Sequence, residues 1–411
     1  MFTDLFSQEY WVRQPSPTFS WLKRCTFTDT SNGWAAGDSG VIIHTSNGGQ
    51  SWITQHSGID YFITYIFFLN SRLGWAIANN YLNQGTTILK TADGGNNWSY
   101  SLFPDTVTLF QAIYFVDSLI GYLGGQYGTV LKTSNAGQSW SRCILDSGTY
   151  SQRMIYRFSF YNSQFGFAVG GTYDAGGVVW RSTDFGSHWQ SQYVCPEPLF
   201  DIALVDSLEA IGCGGDYEVG AEVVKTIDEG TTWNFKLLQM WGTGYSISKR
   251  TRNEYWAALG YGAYLELSTD TGNSFYPIPI PDTAGIYDIR FIDPEHGWAV
   301  GVYGSIYKYN KDIIGINNNK GNIPKEFQLY QNYPNPFNTN TKIRYSLAQK
   351  SKVRLSIYDI LGNEVTVLVN TNQNPGIYEV NFDGSNFASG IYFYKIQADE
   401  YVKTNKMVLL K

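Results

Sequence analysis

The sequence predicts an all-β chain: a seven-bladed β-propeller of four-stranded blades followed by a small Ig-like β-sandwich. Three observations lead there. Charged residues make up 16% of the 411 residues, aromatics 17%, and glycines number 42, a balance that favours short strands and tight turns over helices or disorder. One nine-residue pattern recurs six times at steps of 42 to 49 residues, and a second landmark, recurring seven times, precedes it. The missing copy of the first pattern has its counterpart near the N-terminus, which closes the count.

The first pattern is HTSNGGQSW ending at Trp52, KTADGGNNW at Trp98, KTSNAGQSW at Trp140, RSTDFGSHW at Trp189, KTIDEGTTW at Trp233 and LSTDTGNSF at Phe275. The second is NGWAAG at Trp34, LGWAIA at Trp75, IGYLGG at Tyr122, FGFAVG at Phe167, EAIGCG at Ile211, EYWAALG at Trp256 and HGWAVG at Trp298. An apolar run such as CTFTD, IFFLN or IRFID precedes each. One unit therefore reads as strand A (the apolar run), strand B (GWAxG), strand C (GxIxxT) and strand D, which begins at the tryptophan. Such a period is that of a propeller blade. The seventh unit, GWAVGVYGSIYKYNKD, stops after strand C. Trp11 lies 41 residues before Trp52, so residues 9–15 are expected to supply strand D of the last blade. Closure of that kind removes exposed sheet edges.

Within the nine-residue pattern, Asn47, Asp93, Asn135, Asp184, Asp228 and Asp270 share one position, where a short polar side chain accepts hydrogen bonds from turn amides. Gly49 and its five equivalents suit a residue at positive φ, and the closing aromatic is expected to pack in the core. Six copies with the same chemistry argue for architecture, because a catalytic site needs different residues in different roles. These residues resemble the Asp-box, S-x-D-x-G-x-[TS]-W, of sialidase-type (BNR-repeat) propellers. The fuller unit, over roughly residues 9–310, is similar to the photosystem II assembly and stability factor family. The resemblance implies that the boxes lie on C–D turns, away from the ligand face, and carry no activity.

Residues 1–311 form this first domain, DIIGINNNKGNIP (312–324) reads as an Asn/Gly-rich linker, and residues 325–411 form the second. In the second, KVRLSIYDILGNEV alternates as a half-buried strand does, and short strands follow to the end of the chain. The segments NYPNPFN (332–338), IYDILG (357–362), SGIYFY (389–394) and the basic-apolar tail 403–411 resemble the type A C-terminal sorting domain of the type IX secretion system. Its motif positions here are Pro334, Asn335, Pro336, Phe337, Asp359, Gly362, Gly390, Tyr392, Lys403 and Lys411. The resemblance implies the type IX secretion machinery as a partner and a secreted or cell-surface location. Residues 1–11 show neither the basic nor the apolar region of an export signal.

Composition narrows the function classes. Residues 1–324 carry 19 Lys/Arg against 28 Asp/Glu, net −9, and residues 325–411 carry 10 against 7, net +3. An acidic first domain repels phosphate backbones, so no nucleic acid is expected. No apolar run is long enough for a helical membrane span. The four histidines are scattered, and Cys25, Cys143, Cys195 and Cys213 show no close pairing. No metal, cofactor or disulfide framework is expected.

Candidate site residues lie on the face opposite the boxes, where the B–C loops meet the starts of the A strands. The loops repeat a tyrosine, Tyr81, Tyr127, Tyr173, Tyr217, Tyr261 and Tyr303, with Asp38 near that place in the first blade. Ten residues before each GW landmark stand Arg24, Tyr65, Ala112, Arg157, Asp201, Ser246 and Asp288. The tyrosines read either as an aromatic ring around the channel mouth or as rim packing. The strand-A set reads either as a ligand ring or as charges that neutralise one another. Trp241 and Tyr245 are further face aromatics, and GGTYDAGG (170–177) is an irregular loop there. Three functions remain open: a secreted or surface module binding a peptide, protein or glycan; a sialidase- or glucanase-like glycoside hydrolase; and an assembly factor. Hydrolysis needs a positioned carboxylate pair, or an arginine cluster with a tyrosine nucleophile, and nothing in the sequence marks one. No catalytic residue is assigned.

Overall fold

Each repeat folds as the antiparallel meander its pattern predicts. In a computed structural model of the chain, which describes residues 10–80, 85–105, 108–238, 240–260, 264–311 and 326–411, the first repeat places strands at Leu22–Phe27, Gly33–Gly37, Ile42–Thr45 and Ile53–Gln55, paired in that order. The chain divides into two units, Met1–Ile313 and Ile314–Lys411. The expected linker lies outside the described residues.

Among the described residues the first unit holds seven sheets, numbered here by their A strands: Leu22–Phe27, Ile63–Phe68, Phe110–Phe115, Met154–Phe160, Leu199–Leu204, Ser246–Lys249 and Ile286–Asp293. Each A strand packs against that of the next sheet, and the seventh returns onto the first. The sheets thus ring a central axis as a β-propeller. Trp11–Arg13 pairs antiparallel with Ile306–Tyr309 as the outer strand of sheet 7, so the two ends of the unit close the ring. Sheet 4 departs from the four-strand pattern: Ile144–Leu145, from the loop after sheet 3, adds a parallel fifth strand beside His188–Trp189.

The strand-B aromatics form the contacts between sheets. Trp34 stacks on Phe68 of the next sheet (3.6 Å between centroids), Trp75 on Phe115 (3.6 Å), Tyr122 on Phe160 (4.8 Å) and Trp298 on Phe27 (3.7 Å). The four strand-B rings are fully buried. The nine-residue pattern lies on the C–D turns, on the other side of the same contact. In the first turn the Thr45 hydroxyl donates to Asn47 Oδ1 (3.0 Å) and accepts the Gly49 N–H (2.9 Å), while Asn47 Oδ1 also accepts the Ser51 N–H (2.9 Å). The equivalent bonds recur in the other five copies. The glycine has positive φ in every copy, and so does the residue before it, even where that is Ala136, Phe185, Glu229 or Thr271. That second left-handed residue presents its carbonyl to the preceding sheet. Gly94 O accepts Trp34 Nε1 (3.0 Å) and Gln55 Nε2 (2.8 Å), Gly48 O accepts Trp298 Nε1 (3.1 Å), Ala136 O accepts Lys90 Nζ (3.0 Å) and Phe185 O accepts Tyr122 Oη (2.6 Å). One expectation needs correction. The closing aromatics are not uniformly core residues, since Trp98, Trp140 and Trp233 are half-buried and meet Phe68, Phe115 and Phe167 edge-on.

The second unit has two sheets over one apolar core. Gln328–Leu329, Asn340–Leu347 and Gly376–Asp383 form one; Glu364–Gln373, Ser351–Tyr358, Gly390–Ala398 and Tyr401–Leu409 form the other. Ile343, Tyr345, Leu355, Ile357, Tyr394 and Met407 fill the space between them. All four cysteines, in the first unit, are buried and unpaired.

Two stability predictions follow from these contacts. Trp11 is fully buried against Trp256, Phe291 and Tyr309, so Trp11→Ala should cost about 3–5 kcal/mol in urea unfolding, and deleting residues 1–16 should lower the Tm of the whole propeller. An unchanged Tm in the truncated protein would contradict ring closure. Glu266 is buried in strand C with Oε2 unpartnered, and burial pushes its carboxyl up to about 7. A raised folded pKa means that the neutral acid suits the fold at low pH and that stability is lost as pH climbs towards 7. Glu266→Gln should therefore match the wild type in Tm near pH 4 and exceed it above pH 7; parallel Tm–pH curves would contradict this.

Candidate functional site

At the start of the innermost strands the pairing of A with B slips by one residue. The register jumps from Leu22 to Arg24, Ile63 to Tyr65, Phe110 to Ala112, Ile155 to Arg157, Leu199 to Asp201 and Ile286 to Asp288. A β-bulge breaks the strand's alternation, so two successive side chains are re-aimed. The skipped residues are Lys23, Thr64, Gln111, Tyr156, Phe200 and Tyr287, and Tyr245 stands just ahead of the equivalent strand in sheet 6. Sequence reading singled out the position after the bulge; the skipped position is the one it passed over, apart from Tyr245. A bulge has no residue signature here, so the only available signal was the aromatic character of four consecutive copies.

These four rings connect from sheet to sheet. Tyr156 lies 4.8 Å from Phe200, Phe200 5.4 Å from Tyr245 and Tyr245 5.3 Å from Tyr287, centroid to centroid. The Lys23 ammonium ends the series 3.6 Å from the Tyr287 ring and 4.7 Å from that of Trp21. Burial pushes the Lys23 amine down to about 8, with Asp38 opposing the shift. Rim residues extend the arc: Tyr173 reaches Phe200 (6.1 Å), the Tyr217 and Tyr245 hydroxyls lie 3.2 Å apart, and Trp21 touches Tyr287 (6.1 Å) and Tyr303 (6.2 Å). The result is an aromatic crescent over sheets 4 to 7, with Lys23, Thr64 and Gln111 completing the circuit.

Of the loop tyrosines expected at the mouth, Tyr173, Tyr217 and Tyr303 join this arc. Tyr127 is exposed and makes no ring contact among the described residues, and Tyr81 and Tyr261 lie outside those residues. Trp241 is 81% exposed.

The strand-A set lies beneath the crescent and is engaged with itself. Asp201 and Asp288 are fully buried. Asp201 pairs with Arg157 Nε (2.9 Å) and Arg290 (2.9 Å) and accepts the Ser246 hydroxyl (3.0 Å) and two backbone N–H groups. Asp288 pairs with Arg290 (3.0 Å), accepts the same Ser246 hydroxyl (2.7 Å) and the Cys25 N–H (2.8 Å), and lies 3.9 Å from Arg24. Arg24 and Arg157 also lie over the Tyr65 ring. Burial raises the Asp201 carboxyl above its usual range against the pull of Arg157. Arg24, Arg157, Asp201 and Asp288, read from the sequence either as a ligand ring or as charges that neutralise one another, form an internal ion network joined by Arg290, which sequence reading missed because it sits outside the repeat position. Among the described residues no cluster of His, Cys, Asp or Glu is placed to hold a metal ion.

In the second unit the motif residues tie its two ends together. Phe337 is buried, gives its N–H to Val408 O (2.8 Å) and accepts the Leu410 N–H (2.8 Å), and Asn335 Oδ1 accepts the Val408 N–H (2.8 Å). Asp359 caps the turn to Gly362, taking the Leu361 and Asn363 amides (2.9 Å each). Tyr392 donates to Ala388 O (2.9 Å), and the Lys411 side chain bonds Ser385 O.

Residues 331–410 match the model of the secretion system C-terminal sorting domain. The chain carries that sorting domain. It implies a secreted or outer cell-surface protein that engages the type IX secretion machinery. No helix among the described residues is long and apolar enough to cross a membrane. Beside the sorting domain, the propeller is similar to YCF48 from Cyanidioschyzon merolae, at 18% identity and TM-score 0.59, over 74% of this chain and 99% of that one. YCF48 is also seen bound to a peptide. The type IX secretion component PorZ of Porphyromonas gingivalis matches at 13% identity and TM-score 0.52 over 100% of this chain and 61% of its own. The GH74 xyloglucanase of Xanthomonas campestris matches at 12% and 0.57 over 82% and 59%. At these identities the likeness shows the fold. A comparison with curated proteins gives no significant match.

The ion network makes its own prediction. Asp201→Asn leaves Arg157 and Arg290 short of a counter-charge in a buried site, and urea unfolding should register a loss of about 3–5 kcal/mol. A change below 1 kcal/mol, on the scale of an exposed pair, would show that Asp201 does not hold the network together.

Proposed function

We propose that this is a non-enzymatic binding module, exported by its sorting domain and presenting the propeller's channel mouth to a peptide, protein or glycan. The observation that carries the reading is the crescent of Tyr156, Phe200 and Tyr287, aimed by bulges, and Tyr245 between them, three of the four half-buried and Phe200 more deeply set. Partly exposed rings on a rigid scaffold offer flat contact area at little cost in side-chain entropy, and they suit sugar rings or extended peptides. The C–D turns, which resemble the Asp-box, serve assembly of the ring on the opposite face.

Glycoside hydrolysis and an assembly-factor role are weaker readings. Asp201 and Asp288 converge on Ser246, yet both are buried with their oxygens occupied by arginine, serine and backbone donors. A general acid or nucleophile must face its substrate. An assembly factor like the photosystem family draws on a basic patch, and this propeller is net acidic.

The test is a glycan and peptide array probed with the purified full chain. A ligand should be captured, Tyr245→Ala and Tyr287→Ala should each weaken it by about 2- to 12-fold per ring contact, and sialosides and β-glucans should remain unhydrolysed. Hydrolysis abolished by Asp201→Asn or Asp288→Asn would overturn the reading.

A further inference from the structure

The two ends of the aromatic crescent differ in charge. At one end the protein supplies its own cation, since the Lys23 ammonium rests against Tyr287 and Trp21. At the other end two neighbouring B–C hairpins carry the same kind of ring beside an acid: Tyr173 with Asp174, and Tyr217 with Glu218. Tyr173 and Tyr217 are each 45% exposed. Three further carboxylates stand behind them. Glu197 accepts the Asp174 N–H (3.2 Å) and gives its own N–H to Glu222 Oε1 (3.2 Å), and Asp216 caps the second hairpin through the Glu218 N–H (2.9 Å).

None of these five carboxylates has a Lys, Arg or His within ion-pair distance among the described residues. Their charges act on one another: Asp216, Asp174 and Glu218 raise the Glu197 carboxyl further after burial has raised it, and burial, with Glu197 and Asp216 adding to it, brings Glu222 up to about 7. Glu222 is fully buried with Oε2 unpartnered. The adjacent Cys195 thiol donates to Glu197 O (3.2 Å) and also acts on the Glu222 carboxyl. Glu197 and Glu222 are the buried members of the group, and a buried carboxyl without a counter-charge is costly unless it is paired or protonated. Among the described residues the carboxylates do not converge as a metal-ligand set, and their spread suits a dispersed organic cation better than a metal ion.

We propose that the Tyr173–Tyr217 corner of the channel mouth binds an alkylammonium or guanidinium group, the side chain of a basic peptide segment, with the rings taking the cation on their faces and Asp174, Glu197, Asp216 and Glu218 supplying the negative field. It is the contact that Lys23 makes with Tyr287 at the other end of the crescent, completed here by the ligand. The proposal rests on the channel mouth being the recognition face.

The test is calorimetric titration of the full chain with two probes at low ionic strength, an end-blocked hexalysine peptide and spermidine. The variants Tyr173→Ala/Tyr217→Ala and Asp174→Asn/Glu218→Gln should each weaken hexalysine binding by about tenfold or more, whereas Asp29→Asn/Asp117→Asn, which removes two charges at A–B turns on the opposite face, should leave it unchanged. Circular dichroism of each variant checks that the fold is kept. Tighter binding of hexalysine than of spermidine identifies a peptide side chain; the reverse order identifies a free amine and overturns that source. Equal losses in the corner and opposite-face variants would reduce the effect to general attraction by an acidic surface and overturn the site. Neutral ligands captured on the array through Tyr245 and Tyr287, with no corner-dependent hexalysine binding, would sink the cation site and leave the binding face standing.

Discussion

The ring depends on one repeated contact, the landing of a strand-B aromatic on the next sheet. Trp34, Trp75, Tyr122 and Trp298 lie flat on a phenylalanine or its equivalent at the end of the neighbouring A strand, and the turn carbonyl beside that contact accepts a donor from the same preceding sheet. Stacking supplies area and the carbonyl fixes angle. The strand ladders run within each sheet, so neighbouring sheets are oriented by side-chain contacts of this kind together with hydrogen bonds such as Asn79 Nδ2 to Phe110 O (2.8 Å) and the ion network at the axis. The nine-residue turn is therefore a clasp: its Asx- and Thr-mediated bonds hold two left-handed residues whose carbonyl the preceding sheet grips.

Where the clasp varies, chemistry substitutes for shape. Between sheets 2 and 3 Lys90 takes the role of the indole N–H, and between sheets 5 and 6 Lys225 does so on Thr271 O (2.8 Å). Between sheets 4 and 5 Arg181 reaches the Glu229 side chain instead (3.1 Å). This redundancy lets the repeat drift in sequence, to Ile211 in one strand B and Phe275 in one strand D, without losing the ring.

Fixing the ring from its outer layers leaves the inner mouth free to diversify. The bulge repeats as backbone geometry while the side chain it projects ranges from Lys23 through Thr64 and Gln111 to three aromatics. One layer deeper, Arg24, Arg157 and Arg290 meet Asp201 and Asp288, a network that fills the axis and keeps the mouth shallow. The charge along the aromatic crescent runs from Lys23 at one end to the carboxylates about Tyr173 and Tyr217 at the other.

The period of the repeat, the strand order within it and the return of Trp11 to the last sheet were legible in the chain, because hydrophobic spacing and turn glycines are local properties that a linear pattern records. The sorting domain was legible for the same reason, its NPFN and YDILG segments being contiguous. The site was legible only in part. Asp201 and Asp288 stand out in the repeat, but their meeting on Ser246, and their capture by Arg290, depends on three A strands converging at an axis that no local pattern specifies. Nor could sequence show that the residue one place earlier is the one the bulge re-aims, since a bulge shifts side-chain direction through backbone pairing. Composition and periodicity determined which strands exist; only closure of the ring decided which side chains meet at its centre.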